Sequence, residues 1–118
     1  MVPVLDRRLV VLAAVFAGGC LFGLSGDIAA RDAKKLVDSG AVLLDVRTPA
    51  EYAEKHIGGA VNIPVQELAT RLDEVGPRDR DVVVYCRSGH RAARAAAMLR
   101  EAGFTKVHDL GAMSRWPD

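Results

Sequence analysis

The residues best suited to chemistry form one short run: Cys86, Arg87, Ser88, Gly89, His90 and Arg91. The β-branched residues just before it predict a strand, and an Ala-rich stretch after it predicts a helix. Unpaired N–H groups at a helix N-terminus attract anions, and the basic side chains of the run add to that attraction. The same surroundings favour the thiolate form of a cysteine. The run therefore predicts a charged, accessible nucleophile at Cys86 in an anion-binding loop, rather than an inert core cysteine.

The elements that must position this run alternate along the chain, and there is no internal repeat. Apolar runs predict short strands at residues 41–46, 60–63, 82–85 and 106–110. Helical patterns predict helices at residues 32–38, 49–58, 66–74 and 90–101. This alternation predicts an α/β fold, a small and mostly parallel sheet with helices on both faces. Ligands bind at the carboxyl ends of such strands, where Cys86 falls.

Individual residues predict where two of these helices begin and end. Asp32 is a candidate N-cap of the first helix, and Gly40 suits the left-handed position after its end. Thr48 and Glu51 have the spacing of a capping box, which predicts a firm start for the second helix. That helix is expected to stop near Gly58.

Longer patterns resemble the rhodanese family of sulfurtransferases. Residues 86–91 read Cys-Arg-Ser-Gly-His-Arg and resemble its active-site loop, C-R-S-G-x-R. Residues 43–52 and 56–64 are similar to its other signature, with D-V-R, E-[FY] and H-I-x-G-A-x-N elements. Residues 109–116 are similar to its L-x-G-G ending with a tryptophan, although Ala112 replaces the second glycine. The resemblance covers about residues 28–118 and implies the rhodanese-like three-layer fold.

The resemblance also implies sulfur transfer in two half-reactions. Cys86 would take a sulfur from a small anionic donor such as thiosulfate, become a persulfide and pass the sulfur to cyanide or a thiol. Residues 87–91 would bind the substrate, with the two arginines of the loop holding the dianionic donor. This scheme requires no metal and no cofactor.

Several other polar or aromatic residues are expected to support the site without reacting. Asp45 ends a buried strand, where a carboxylate needs a partner, so it is expected to stand behind the substrate-binding residues. Arg47 is expected to do the same and to form a structural ion pair with Glu51. His56 is expected to brace a loop rather than act as a base, and Trp116 to close the C-terminus.

Two other functions stay open. A cysteine-dependent phosphatase or arsenate reductase also surrounds its cysteine with an anion-binding loop. Phosphatases resembling this fold have five residues between cysteine and arginine, whereas four separate Cys86 from Arg91, which favours sulfur. A non-catalytic sulfur carrier or binding module is the second alternative. The retained cysteine and loop favour catalysis, but a persulfide carrier would have the same sequence.

Composition excludes one class of partner. The chain has 118 residues, half of them hydrophobic, which suits one domain. Sixteen basic and 15 acidic residues leave a net charge of +1, which argues against a broad nucleic-acid-binding face. Cys20 and Cys86 are the two cysteines, so a disulfide framework is not expected.

Residues 1–26 predict a signal peptide or membrane anchor ahead of a domain at 27–118. Arg7 and Arg8 precede an uncharged apolar run at residues 9–26, which spans ~27 Å as a helix against a hydrocarbon core of ~30 Å. The segment ending at Cys20 resembles a lipoprotein lipobox, with Ala17 in place of the usual leucine. The arginines favour a cytoplasmic N-terminus, so a periplasmic or other extracytoplasmic domain, membrane-anchored or lipidated, is expected.

Overall fold

A computed structural model of the chain describes residues 26–117, and within them four strands form one sheet. The strands are β1 (Val42–Asp45), β2 (Val61–Asn62), β3 (Val82–Cys86) and β4 (Val107–Ala112), in the spatial order β2-β1-β3-β4. Every neighbouring pair is parallel, as predicted. β3 lies between β1 and β4, and its last residue pairs with Ala112 at the carboxyl end of the sheet.

Helices cover both faces of this sheet. They are α1 (Ala30–Asp38), α2 (Pro49–Glu54) and α3 (His90–Glu101), together with short 3-10 helices at Val65–Thr70, Leu72–Glu74 and Met113–Arg115. Side chains of α1, α2 and the last 3-10 helix pack in one apolar cluster, while α3 and the first two 3-10 helices pack in another. The two clusters lie on opposite faces, which confirms the three-layer α/β fold.

The alternation of side chains along β3 decides which face each of its residues serves. Successive residues of a strand point to opposite faces. Val83 and Tyr85 accordingly lie in the cluster with α1, whereas Val84 and Cys86 lie in the cluster with α3. All five residues of β3 are buried, so Cys86, the last of them, lies in the core and at the carboxyl end of the sheet.

Two predicted helix boundaries are wrong. The N-cap of α1 is Ala29, since the N–H of Asp32 donates to the Ala29 carbonyl and so already belongs to the first turn. α2 ends at Glu54, four residues before Gly58, because Lys55 is extended and its carbonyl accepts a hydrogen bond from Arg47. Sequence patterns near the end of α2 do not reveal that Arg47 donates to the Lys55 carbonyl.

Other local predictions differ in accuracy. The capping box at Thr48 is confirmed, and Gly40 has the predicted positive φ of +109°. Residues 66–74 were predicted as one amphipathic helix and instead form two 3-10 helices, separated at Arg71. Leu68 and Leu72 nevertheless pack into the same apolar cluster, so the periodicity identified the buried face correctly.

The start of the described chain joins β4. The N–H of Asp27 donates to the Asp109 carbonyl, and the N–H of Asp109 donates to the Asp27 carboxylate, both at 2.7 Å. The positive φ of Gly26 and its contact with the Asp109 carbonyl leave no room for a side chain there. Residues 1–25 of the predicted export segment, including Cys20, lie outside the described residues. Across 26–117 no helix is long and apolar enough to span a membrane.

Candidate active site

The turn between β3 and α3 folds back onto the sulfur of Cys86. Gly89, the N-cap of α3, has a φ of +112°, which a residue with a side chain rarely adopts. Its N–H donates to Sγ of Cys86 at 3.0 Å. Between residues 26 and 117 this is the one backbone N–H that donates to the sulfur. The turn therefore aims an N–H donor and the positive end of the α3 dipole at the candidate nucleophile.

The expectation of an accessible sulfur is wrong for this structure. Cys86 is 0% exposed, whereas Arg87 and Ser88 beside it are exposed. The reason is the alternation along β3, which points Cys86 toward the first turns of α3, where it packs in the same cluster as Ala92. The Gly89 turn covers it from the other side. A donor therefore cannot contact the sulfur in this conformation, and a local rearrangement must expose it first.

The two arginines of the loop differ in their contacts. Arg87 is exposed and makes no hydrogen bond or ion pair within the described part of the chain. Arg91 forms a bidentate pair with Glu51, at 2.8 and 3.1 Å. The predicted pair between Arg47 and Glu51 is therefore wrong, because the fold brings the first turn of α2 against that of α3.

Glu51 joins two elements through one carboxylate. Its Oε1 accepts from the Thr48 N–H and hydroxyl in the capping box and from Arg91. The Arg91 hydrogen bond, helped by Thr48, lowers the pKa of Glu51 to about 2. The pKa of Arg91 is raised, chiefly by Glu51 and to a smaller extent by the charge of Cys86. Arg91 thus braces the loop while remaining within electrostatic reach of the sulfur.

Asp45 and Arg47, which the sequence analysis placed behind the substrate-binding residues without pairing them, bind each other at the carboxyl end of β1. Arg47 donates to Asp45 from Nε at 3.0 Å, from Nη2 at 2.6 Å and from its backbone N–H at 2.9 Å. Both residues are buried, and hydrogen bonding to Asp45 raises the pKa of Arg47. Nη2 also donates to the Lys55 carbonyl at 2.6 Å. A buried pair with this geometry fixes the turn after α2 relative to the sheet.

Tyr85 completes this group, and the sequence analysis treated it only as a strand residue. Its hydroxyl donates to Asp45 at 2.7 Å and accepts from the Ile57 N–H at 3.1 Å. Burial raises the pKa of Tyr85. A tyrosine within a fully buried strand needs a partner for its hydroxyl, and that was the available signal.

A cleft of about 540 Å³ opens beside the loop. We define it by its charged lining residues, which are Arg47, Glu51, Glu54, Lys55 and Arg87. Cys86 does not line it. Arg87 of the loop lines the cleft directly. Glu51 also lines it, and its carboxylate binds Arg91 of the loop. The sequence analysis did not single out Glu54 or Lys55, since exposed charges near a helix end carry no local signal.

Apolar side chains also line the cleft, contributed by Ile57, Met113 and Trp116. Met113 directly follows Ala112, the β4 partner of Cys86, so it also lies at the carboxyl end of the sheet. His56 lines the cleft too; its Nδ1 donates to the Tyr52 carbonyl at 2.8 Å and its ring stacks on Tyr52. These contacts match the predicted loop-bracing role of His56.

The described residues contain no group of three or more His, Cys, Asp or Glu side chains arranged to hold a metal ion.

Comparison with known proteins agrees with this geometry. The rhodanese-like domain family matches residues 29–117. A sulfurtransferase of Allochromatium vinosum is 44% identical over 85 residues, covering 70% of this chain and 78% of that protein. The thiosulfate sulfurtransferase PspE of Escherichia coli is 38% identical over 71 residues, 59% of this chain and 68% of PspE. The solved structure of the human single-domain sulfurtransferase TSTD1 superposes with a TM-score of 0.69 at 30% identity, over 75% of this chain and 92% of that one. The chain therefore belongs to the rhodanese-like domain family, with single-domain sulfurtransferases among its relatives.

Proposed function

We propose that this protein is a thiosulfate sulfurtransferase that carries sulfur as a persulfide on Cys86. The proposal rests on the position of the Cys86 sulfur at the carboxyl end of β3. There the Gly89 N–H, at the start of α3, donates to it at 3.0 Å. The choice of donor is supported by the similarity to PspE, which is named a thiosulfate sulfurtransferase.

The first half-reaction is a displacement at sulfur. The Cys86 thiolate attacks the outer sulfur of thiosulfate, so a new S–S bond forms while the bond to the sulfonate sulfur breaks. Sulfite leaves with the electron pair, and Cys86 becomes a persulfide. The Gly89 N–H and the α3 dipole stabilise the negative sulfur before and after this step.

The loop residues divide the work according to their contacts. Arg87, Ser88 and His90 are exposed and face the solution from which the donor arrives. Arg87 supplies the uncommitted positive charge for the dianionic donor. Arg91 is held by Glu51 and keeps the loop in shape.

The ion pair of Arg91 with Glu51 also favours sulfur transfer over phosphate chemistry. A cysteine-dependent phosphatase needs its loop arginine to bind the phosphate oxygens of the substrate. Here both Nη atoms of Arg91 bind the Glu51 carboxylate. The short spacing between Cys86 and Arg91 favours the same conclusion.

Transfer from thiosulfate to cyanide by the purified full-length protein tests the proposal. Cys86→Ser should lower the rate by about three orders of magnitude or more, because the hydroxyl cannot replace the thiolate. Cys20→Ser, which changes the other cysteine of the chain, should retain the wild-type rate. A wild-type rate equal to that of Cys86→Ser would reject the enzyme.

Intact mass separates catalysis from sulfur carriage. After exposure to thiosulfate, wild-type protein should gain one sulfur, which Cys86→Ser should not gain. An enzyme then releases that sulfur to cyanide or a small thiol over many turnovers. A carrier acquires the sulfur but does not turn over with small acceptors.

We also propose that the domain works outside the cytoplasm, attached to a membrane. Arg7, Arg8 and the apolar run at residues 9–26 support this location. Fractionation of cells producing the full chain, together with the mass of its mature N-terminus, distinguishes a retained anchor from cleavage before Cys20. Recovery of the intact chain in the cytoplasmic fraction would reject export.

A further inference from the structure

The cleft beside the loop is much larger than the proposed donor requires. Its volume of about 540 Å³ falls in the range of about 300–1,000 Å³ that holds drug-sized organic ligands. Thiosulfate and cyanide consist of only a few atoms. The space therefore suits the second substrate of the proposed reaction, an organic sulfur acceptor.

The charges in the cleft indicate what kind of acceptor it is. Arg47 is neutralised by Asp45, and Glu51 by Arg91. Lys55, Glu54 and Arg87 are exposed, and within residues 26–117 none of their charged groups has a hydrogen-bond or ion-pair partner. Two cations therefore face one anion. The surplus positive charge favours a ligand that carries a carboxylate.

The apolar lining residues add a second requirement. Ile57, Met113 and Trp116 offer hydrocarbon surface to a ligand with a carbon skeleton. Arg87 directly follows Cys86, whereas Lys55 directly follows the end of α2. The cleft thus has one cation from the residue that follows Cys86 in the chain and another supplied by a separate segment.

We propose that the cleft binds the sulfur acceptor, a small organic thiol bearing a carboxylate, and that Lys55 selects for that carboxylate. This inference rests on the proposed persulfide function. In the step it serves, the acceptor thiolate attacks the outer sulfur of the Cys86 persulfide and forms a new S–S bond. The bond to Cys86 breaks, the electron pair leaves with the Cys86 thiolate, and the acceptor departs as a persulfide. Lys55 is a specificity determinant and takes no part in the bond exchange.

The test measures the second half-reaction alone. Full-length protein is loaded with thiosulfate, the added sulfur is confirmed by intact mass, and its loss is followed after adding mercaptopropionate, which has a carboxylate, or mercaptoethanol, which is neutral. Lys55→Gln should slow the reaction with mercaptopropionate about three- to tenfold and leave that with mercaptoethanol within about twofold. Comparing each thiol with itself in wild type and variant removes the difference in thiol reactivity.

Matched variants sharpen the test. Lys106→Gln removes an exposed lysine outside the cleft and should change neither rate. Lys55→Glu should slow mercaptopropionate further and accelerate cysteamine, a cationic thiol. Equal effects of Lys55→Gln on the charged and neutral thiols would overturn the inference while leaving the proposed function intact. Failure of thiosulfate to load Cys86 would overturn both, and it would be seen before any acceptor is added.

Discussion

Two neighbouring regions at the carboxyl end of the sheet use charge in opposite ways. At the end of β1, Asp45 and Arg47 are buried and bind each other, with Tyr85 as a further partner. At the end of β3, Arg87 is exposed and has no partner among the described residues, next to a buried sulfur that receives the Gly89 N–H. The first region has its charges neutralised, and the second presents them to solvent.

This difference indicates how the work is divided. A buried ion pair mainly fixes the local conformation, because the cost of removing both charges from water offsets much of their attraction. Unpaired exposed cations contribute little to stability and are available to an anionic substrate. Glu51 connects the regions, since it caps Thr48, the residue after Arg47, and binds Arg91 of the loop. We therefore propose that the paired region fixes the backbone around the site and that the unpaired region binds the anionic donor.

Breaking the buried pair should have the largest effect on stability. Arg47→Met leaves Asp45 charged, buried and without its cation, so the free energy of unfolding should fall by about 3–5 kcal/mol. Urea denaturation measures the change. Adding Asp45→Asn to this variant should recover part of the loss, because the uncompensated charge disappears.

An exposed arginine provides the control for this substitution. Arg94→Met, on the outer face of α3, should change the free energy of unfolding by no more than about 0.5 kcal/mol. If Arg47→Met and Arg94→Met change the free energy of unfolding equally, the buried pair at the end of β1 does not hold the site in place.

Distorting the loop should have the next largest effect on stability and should affect activity more. Gly89→Ala forces a side chain onto a φ of +112°, at a cost of about 1–3 kcal/mol, and shifts the N–H away from Sγ. Loss of a donor that stabilises charge lowers rates about 100-fold or more, and sulfur transfer should fall by that order.

The chain offers a closely matched control. Gly103 follows α3 with a φ of +99°, and a side chain there would contact nothing within 4 Å. Gly103→Ala should therefore cost comparable stability but leave sulfur transfer unchanged. Equal activity losses in the two variants would show that strain, rather than the N–H at the sulfur, accounts for the effect of Gly89→Ala.

The sequence predicted the features of this comparison that depend on local signals. The strand into Cys86, the start of α3 and the capping box at Thr48 are each encoded within a few residues, and all three are found. The loop motif also located the candidate site, because its residues are contiguous.

Partners distant in the chain could not be predicted in this way. The ion pair of Glu51 and Arg91 joins residues 40 positions apart, so the spacing of four between Arg47 and Glu51 suggested the wrong pair. The burial of Cys86 depends on how the turn at Gly89 closes over β3. The cleft depends on residues from three separate stretches of the chain, and its lysine at position 55 has no distinguishing local pattern.

The smallest expected effect on stability comes from breaking the ion pair between Glu51 and Arg91, which links the two regions. Glu51→Gln preserves the side-chain acceptor of the capping box but removes the charge that binds Arg91. Because this pair is partly exposed, the free energy of unfolding should fall by about 1 kcal/mol near neutral pH. Glu67→Gln, in the more exposed pair with Arg71, should change it less.

The pH dependence of this effect identifies the charge as its cause. Folding lowers the pKa of Glu51 from 4.5 to about 2, mainly through Arg91, so the ionised form is favoured in the folded state. The stabilisation is therefore fully present above pH 4.5 and is lost as the pH falls toward 2. Urea denaturation across this interval should show wild type and Glu51→Gln converging in stability. If the difference in free energy of unfolding between wild type and Glu51→Gln stays constant with pH, the hydrogen-bond geometry of Glu51, and not its charge, links the two regions.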